Sequence, residues 1–208
     1  MARSVASAWT RGSPAAKMFR MNSGGTLLLV PTELELAALG DFDARVELCG
    51  FGPVAAAART AELIARHDHA QVLLVGIAGS YDPARLPLGR AASFREVAIE
   101  GIGAGFPQWP GIEDRLALAP AGAAETLLLT VWAACDSPAE AERRLRRFPG
   151  AAAEDMEGFA VAFACALAHV PCTIVRGISN AVGERDKRRW RIPAALAAAR
   201  TLALEQVR

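Results

Sequence analysis

The sequence predicts an α/β protein: a single-domain three-layer sandwich whose mostly parallel, mixed central sheet is flanked by helices. Three observations carry that reading. Short apolar runs recur at Thr26–Val30 (TLLLV), Gln71–Val75 (QVLLV) and Thr173–Ile178 (TIVRGI), the pattern of strands covered on both faces. Ala-rich stretches of helical length separate them, as crossover helices do. The apolar share is 52 %, yet aromatics make up only 6 %, a composition in which small side chains pack helices closely onto a sheet.

The elements follow in order. Residues 1–25 hold Arg3, Arg11, Lys17 and Arg20 among Ser, Ala and Gly, and the first acidic residue is Glu33. We read them as a disordered N-terminal extension, with Met18 and Met21 as plausible true starts; an Arg- and Ser-rich targeting segment is the alternative. The domain proper is expected over 26–208. Thr26–Val30 is its first strand and Arg45–Cys49 a neighbour. Val54–His67, with Pro53 at its start, reads as a helix. Gln71–Val75 is a buried strand that ends in a glycine loop, Gly76–Gly79. Ala91–Glu100 is extended, Leu127–Ala134 is apolar again, and Pro138–Phe148 is a charged surface helix. Asp155–His169 is a helix of small residues stopped by Pro171. Thr173–Ile178 is the last strand and Ile192–Gln206 the closing helix.

Composition excludes several classes of function. The 23 Lys and Arg against 22 Asp and Glu leave a formal charge of +1, so no field recruits nucleic acid or an anionic membrane. No apolar run reaches the roughly 18–20 residues of a membrane span. Cys49, Cys135, Cys165 and Cys172 form no CxxC pair and read as buried thiols of a cytoplasmic protein. His67, His69 and His169 fall at helix ends without metal spacing, and neither metal nor cofactor is expected.

Ligands of such sheets bind beyond the carboxyl ends of the strands. That rule selects Pro31–Glu35, Gly76–Ser80, Asp155–Gly158 and Ser179–Arg185. The glycine loop can present backbone N–H groups, but it lacks the third glycine and the helix of a dinucleotide fingerprint; a bare tight turn is the alternative. Gly101, Gly103 and Gly105 read as a loop. Glu154, Asp155 and Glu157 enter a helix, where acids complement the dipole. That corner is apolar, however, and a buried carboxylate there requires partners. Arg176 and Asn180 share one side of a strand, and Arg176 requires a carboxylate, with Glu33, Glu35 or Glu157 as candidates.

Glu154-Asp155-Met156-Glu157-Gly158, followed about twenty residues later by Arg176-Gly177-Ile178-Ser179-Asn180, resembles the purine nucleoside phosphorylase and nucleosidase superfamily. LLLVPTELEL, GFGPVAAA, VGIAGS and SNAVGERD occur in the family's order and are most similar to the futalosine hydrolase branch. The resemblance covers roughly Thr26 to Ile192. It implies hydrolysis of the N-glycosidic bond of futalosine, with release of hypoxanthine, in menaquinone biosynthesis. It also implies a homo-oligomer that binds a small nucleoside and neither nucleic acid nor membrane.

The same resemblance assigns roles. Glu35, or less well Glu33, holds the attacking water, Glu157 binds the ribose hydroxyls and Asn180 meets the base. Met156 packs on the sugar and Ser179 and Arg176 orient these groups; Asp155, Ala78 and Gly79 complete the substrate-binding set. Adenine-specific relatives carry Asp where this chain has Asn180. An amide NH2 can donate to N7 or to a 6-oxo group, which favours hypoxanthine as leaving base. Ile77 stands where those relatives have Ser, and Trp132 and Asp136 occupy positions where smaller or hydroxyl-bearing residues are expected. Gly101–Trp109 and the Arg188–Arg191 region are candidates for the non-purine half of the substrate, where a benzoate-like anion could sit. A phosphorylase, a methylthioadenosine-type nucleosidase and a non-catalytic nucleoside binder are the competing expectations.

Overall fold

A computed structural model describes residues 24–101, 114–119 and 125–207. The expected extension 1–25, apart from Gly24 and Gly25, and nearly all of the 101–109 segment lie outside the described residues.

Strand β1 (Thr26–Val30) alternates between two cores. Leu27 and Leu29 face one and Leu28 and Val30 the other, and in β3 (Gln71–Ser80) Val72 and Leu74 separate from Leu73 and Val75 in the same way. That two-sided burial is the physical content of an unbroken apolar run. β2 (Arg45–Leu48) pairs with β1 in parallel. Between them a short helix, α1 (Glu33–Leu39), begins where Thr32 Oγ1 accepts the Glu35 N–H. α2 (Pro53–Arg66) starts on its proline as expected.

The remaining strands are β4 (Ala91–Ile99), β5 (Arg115–Ala117), β6 (Glu125–Thr130), β7 (Ala151–Asp155) and β8 (Cys172–Ala181). The remaining helices are α3 (Pro138–Arg147), α4 (Gly158–Ala168) and α5 (Ile192–Gln206). The sheet order is β2-β1-β3-β7-β6-β4-β5, and β8 pairs with both β3 and β4. Strands β3, β7, β6, β4 and β8 therefore close into a ring. The β3–β7, β4–β5 and β4–β8 pairs are antiparallel and the rest parallel. α1 and α5 cover one face, and α2 and α4 pack together on the other. This is the expected mixed-sheet sandwich. Among the described residues no helix is long and apolar enough to cross a membrane.

Four local expectations need correction. Gly76–Ser80 is not a loop: β8 runs beside it from Val72↔Cys172 to Ser80↔Ala181 and supplies ladder partners that glycine alone does not announce. The helix expected over Asp155–His169 begins only at Gly158, because Ala151–Asp155 is a strand, held between β6 and β3. Alanine has little strand propensity, so tertiary pairing decides there. β8 continues to Ala181, and the register jump from Ala78↔Ile178 to Gly79↔Asn180 leaves Ser179 as the extra residue of a bulge. The alternation that put Arg176 and Asn180 on one side is broken at that bulge. Finally, α3 is not wholly a surface helix, because Arg144 is only 4 % exposed.

Candidate active site

A cleft of about 630 Å³ opens at the carboxyl ends of β1, β3, β6, β7 and β8. The topology thus brings together the four stretches selected from the sequence and adds Val131–Ala134 at the end of β6, as the strand-end rule requires.

Glu35 is set by its own helix start. Thr32 Oγ1 donates to Glu35 Oε2 at 2.6 Å, and the Ile77 N–H donates to Oε1 at 3.0 Å. The carboxylate is buried yet lines the cleft, whereas Glu33 is exposed and lies outside the lining. The T-x-x-E spacing of Thr32 and Glu35 is a helix-start signature through which sequence reading could have found Thr32. Gly76 makes room for this corner. A Cβ there would stand 2.8 Å from Glu35 Oε1 and would collide with Arg176 Nη1.

Arg176 is fully buried. Its main partner is Asp155, reached by Nε at 3.0 Å and Nη2 at 2.5 Å on Oδ2; Glu157 Oε2 is 3.3 Å from Nη2. Of the three partners expected, only Glu157 is found; Glu33 and Glu35 make no ion pair with it, and Asp155 was not among them. Gly158 N donates to Asp155 Oδ2 at 2.9 Å and Thr130 Oγ1 to Oδ1 at 2.7 Å. Asp155 lines the cleft, but both its oxygens are taken by protein donors. Thr130 also accepts the Phe159 N–H at 2.8 Å and so ties the end of β6 to the start of α4.

Glu157 is held more loosely, by the Gly52 N–H on Oε1 at 3.0 Å and by Arg176 on Oε2. Burial pushes its pKa up from 4.5 to about 7; Arg176 opposes the rise and Asp155 adds to it. Near neutrality the group sits between its neutral and ionised forms, with acceptor capacity still open to the cleft.

The Asn180 amide is oriented by two bonds. Nδ2 donates to the Ala181 carbonyl at 2.9 Å and Oδ1 accepts from Ser179 Oγ at 2.7 Å. The reverse orientation would set two acceptor oxygens together, so one N–H of Asn180 remains to face a ligand. The Ser179 bulge is what places that hydroxyl beside the amide.

Met156, Ala78, Gly79 and Ser179 all line the cleft, and so does Trp132, whose indole donates to the Glu100 carbonyl at 3.0 Å and which is half exposed. Asp136 lies outside the lining. Arg188 and Arg189 are paired with Asp186 and Glu184. The cationic groups that reach the cleft from this segment are Arg185 and Lys187, beside Trp190. Among the described residues no cluster of His, Cys, Asp and Glu is arranged to hold a metal ion.

The arrangement can therefore hold a water on one carboxylate, receive hydroxyls on another and donate a hydrogen bond to a base.

Residues 124–207 match the family model of the phosphorylase superfamily. Futalosine hydrolase of Streptomyces coelicolor is 35 % identical over 170 residues, covering 72 % of each chain. That of Thermus thermophilus is 34 % identical over 170 residues, covering 72 % of this chain and 74 % of its own. Among solved structures, the native futalosine hydrolase of Helicobacter pylori superposes with a TM-score of 0.76 at 16 % identity, over 88 % of this chain and 97 % of that one. Folded alike and related in sequence over most of its length, this chain belongs to the phosphorylase superfamily and, within it, to the futalosine hydrolase family.

Proposed function

We propose that the protein hydrolyses the N-glycosidic bond of futalosine, releasing hypoxanthine and dehypoxanthine futalosine in menaquinone biosynthesis, and that it does so in the cytoplasm as a homo-oligomer. The observation that carries the choice of base is the Asn180 amide, whose fixed orientation leaves an N–H donor. A 6-oxopurine offers N7 and O6 as acceptors, and a carboxylate in this place would oppose O6.

In the reaction, Glu35 holds water and takes its proton as the oxygen bonds to C1′. The C1′–N9 bond breaks and its electron pair passes to the purine, which Asn180 stabilises through a hydrogen bond; the base takes its proton from solvent. Glu157, in its ionised form, accepts hydrogen bonds from the ribose hydroxyls and supports the cationic sugar of the transition state. Arg176, itself anchored by Asp155, holds Glu157 in place, and Met156 packs against the sugar. Exposed Leu34, Phe51 and Val54 beside the cleft support association of copies, which light scattering would test.

The function is tested by incubation with futalosine, inosine and methylthioadenosine, with and without phosphate, followed by chromatography of released bases. Hypoxanthine from futalosine without phosphate is expected. Adenine release alone, or a requirement for phosphate, would overturn the proposal.

A further inference from the structure

The cleft wall formed by Val131–Ala134, continued by the adjoining Cys135, carries no regular secondary structure, yet it is tied down from behind by one buried side chain. Arg144 of α3 donates from Nη2 to the Ala133 carbonyl at 3.1 Å and from Nη1 to Glu154 Oε2 at 2.8 Å. Glu154 in turn accepts the Cys135 N–H on Oε1 at 2.9 Å and the Tyr81 hydroxyl on Oε2 at 2.8 Å. Arg144 Nε lies 2.8 Å from Glu100 Oε2, and the Glu100 backbone carbonyl holds the Trp132 indole. A third carboxylate, Glu140, receives Nη2 at 2.8 Å. Two points of the wall, Trp132 and Ala133, and the adjoining Cys135 thus depend on one guanidinium.

The wall lies on the side of the cleft that carries Asn180. Gly183, two residues past the end of β8 and at φ +87°, is seated so closely that a Cβ would stand 3.2 Å from the Ser137 carbonyl carbon. The loop that leaves the wall therefore packs on the segment that leaves Asn180.

The geometry points to Arg144 as a positioning residue for base recognition: through Glu154, Glu100 and the Ala133 carbonyl it sets the wall against which the leaving base is held. This rests on the nucleosidase reading above. Arg144 touches neither Glu35 nor Glu157, so its effect falls on binding of the base and not on cleavage of the bond.

The test compares wild type, Arg144→Lys and Tyr81→Phe in kcat, KM for futalosine and Ki for free hypoxanthine. The lysine keeps the charge but cannot hold Ala133 and three carboxylates together. Loss of a charge-assisted hydrogen bond corresponds to roughly tenfold or more in binding. Arg144→Lys should raise KM and Ki together by about tenfold with kcat changed less than about threefold. Tyr81→Phe, which removes one bond to Glu154 and needs no refolded charge network, should shift both in the same direction by a smaller factor. Unchanged Ki in both variants, or a fall in kcat with Ki intact, would overturn the inference. Wild type that releases no base from any nucleoside would overturn the nucleosidase reading itself, a result distinct from active wild type with indifferent variants.

Discussion

Glu157 should impose an acid limb near pH 7 on activity. The carboxyl is buried between Gly52, Arg176 and Asp155, and burial outweighs the nearby guanidinium, so its pKa rises from 4.5 to about 7. Only the ionised form has the acceptors that two ribose hydroxyls require. One unit below that value about a tenth of the free enzyme is ionised, so kcat/KM at pH 6 should be roughly a tenth of its plateau, since this parameter reports the free enzyme. The same group sets a linkage. With its folded pKa raised, its stabilising contribution is complete below the unfolded value and is lost as pH rises through the folded one. Between pH 5 and 8 the wild type should therefore lose stability relative to Glu157→Gln. Comparing the two proteins at two pH values cancels the fixed cost of the amide. Hypoxanthine release across pH 5–9, with urea unfolding at pH 5 and 8, reads both effects. A limb centred near 4.5, with no pH-dependent difference in stability, would refute burial as the controlling influence.

Other consequences follow from the same geometry. Arg176→Met strands two buried carboxylates and should cost about 3–5 kcal/mol, measured as a fall in the denaturation midpoint. Gly76→Ala forces a methyl group between Arg176 and Glu35; a loss of about 1–3 kcal/mol together with reduced turnover is expected, read from thermal melts and initial rates. Asn180→Asp replaces the donor to a 6-oxopurine with an acceptor and should lower kcat/KM on inosine by at least about tenfold more than on adenosine; equal losses would show that the residue does not discriminate the base.

Much of the fold was legible because apolar runs such as TLLLV and QVLLV have one physical meaning, burial on both faces, and the clusters on the two sides of β1 and β3 bear it out residue by residue. What escaped was decided by pairing rather than by local preference. Ala151–Asp155 contains no strong strand former and becomes a strand only because β6 and β3 lie on either side. The Ser179 bulge has no local signature, and it changes which side chains stand beside Asn180. At the site, resemblance to the family's motifs selected Glu35, Glu157 and Asn180, which the fold brings to the lining of one cleft, and Thr32 was legible in principle from its capping spacing. Asp155 as partner of Arg176 was not, because four acids were near enough in the sequence pattern to serve. Arg144 was hidden for a simple reason: within RRLRR it looks like any solvated arginine, and only the fold turns it inward.

In the proposed reaction, water held by Glu35 attacks the nucleoside. That step is tested most directly by the rate of hypoxanthine release from futalosine in phosphate-free buffer, compared between wild type and Glu35→Gln. A general base of this kind contributes about 10²–10⁴-fold, so the wild type should turn over and the variant should lose at least about a hundredfold in kcat while still binding hypoxanthine. Release by Glu35→Gln at a rate close to wild type would contradict the account.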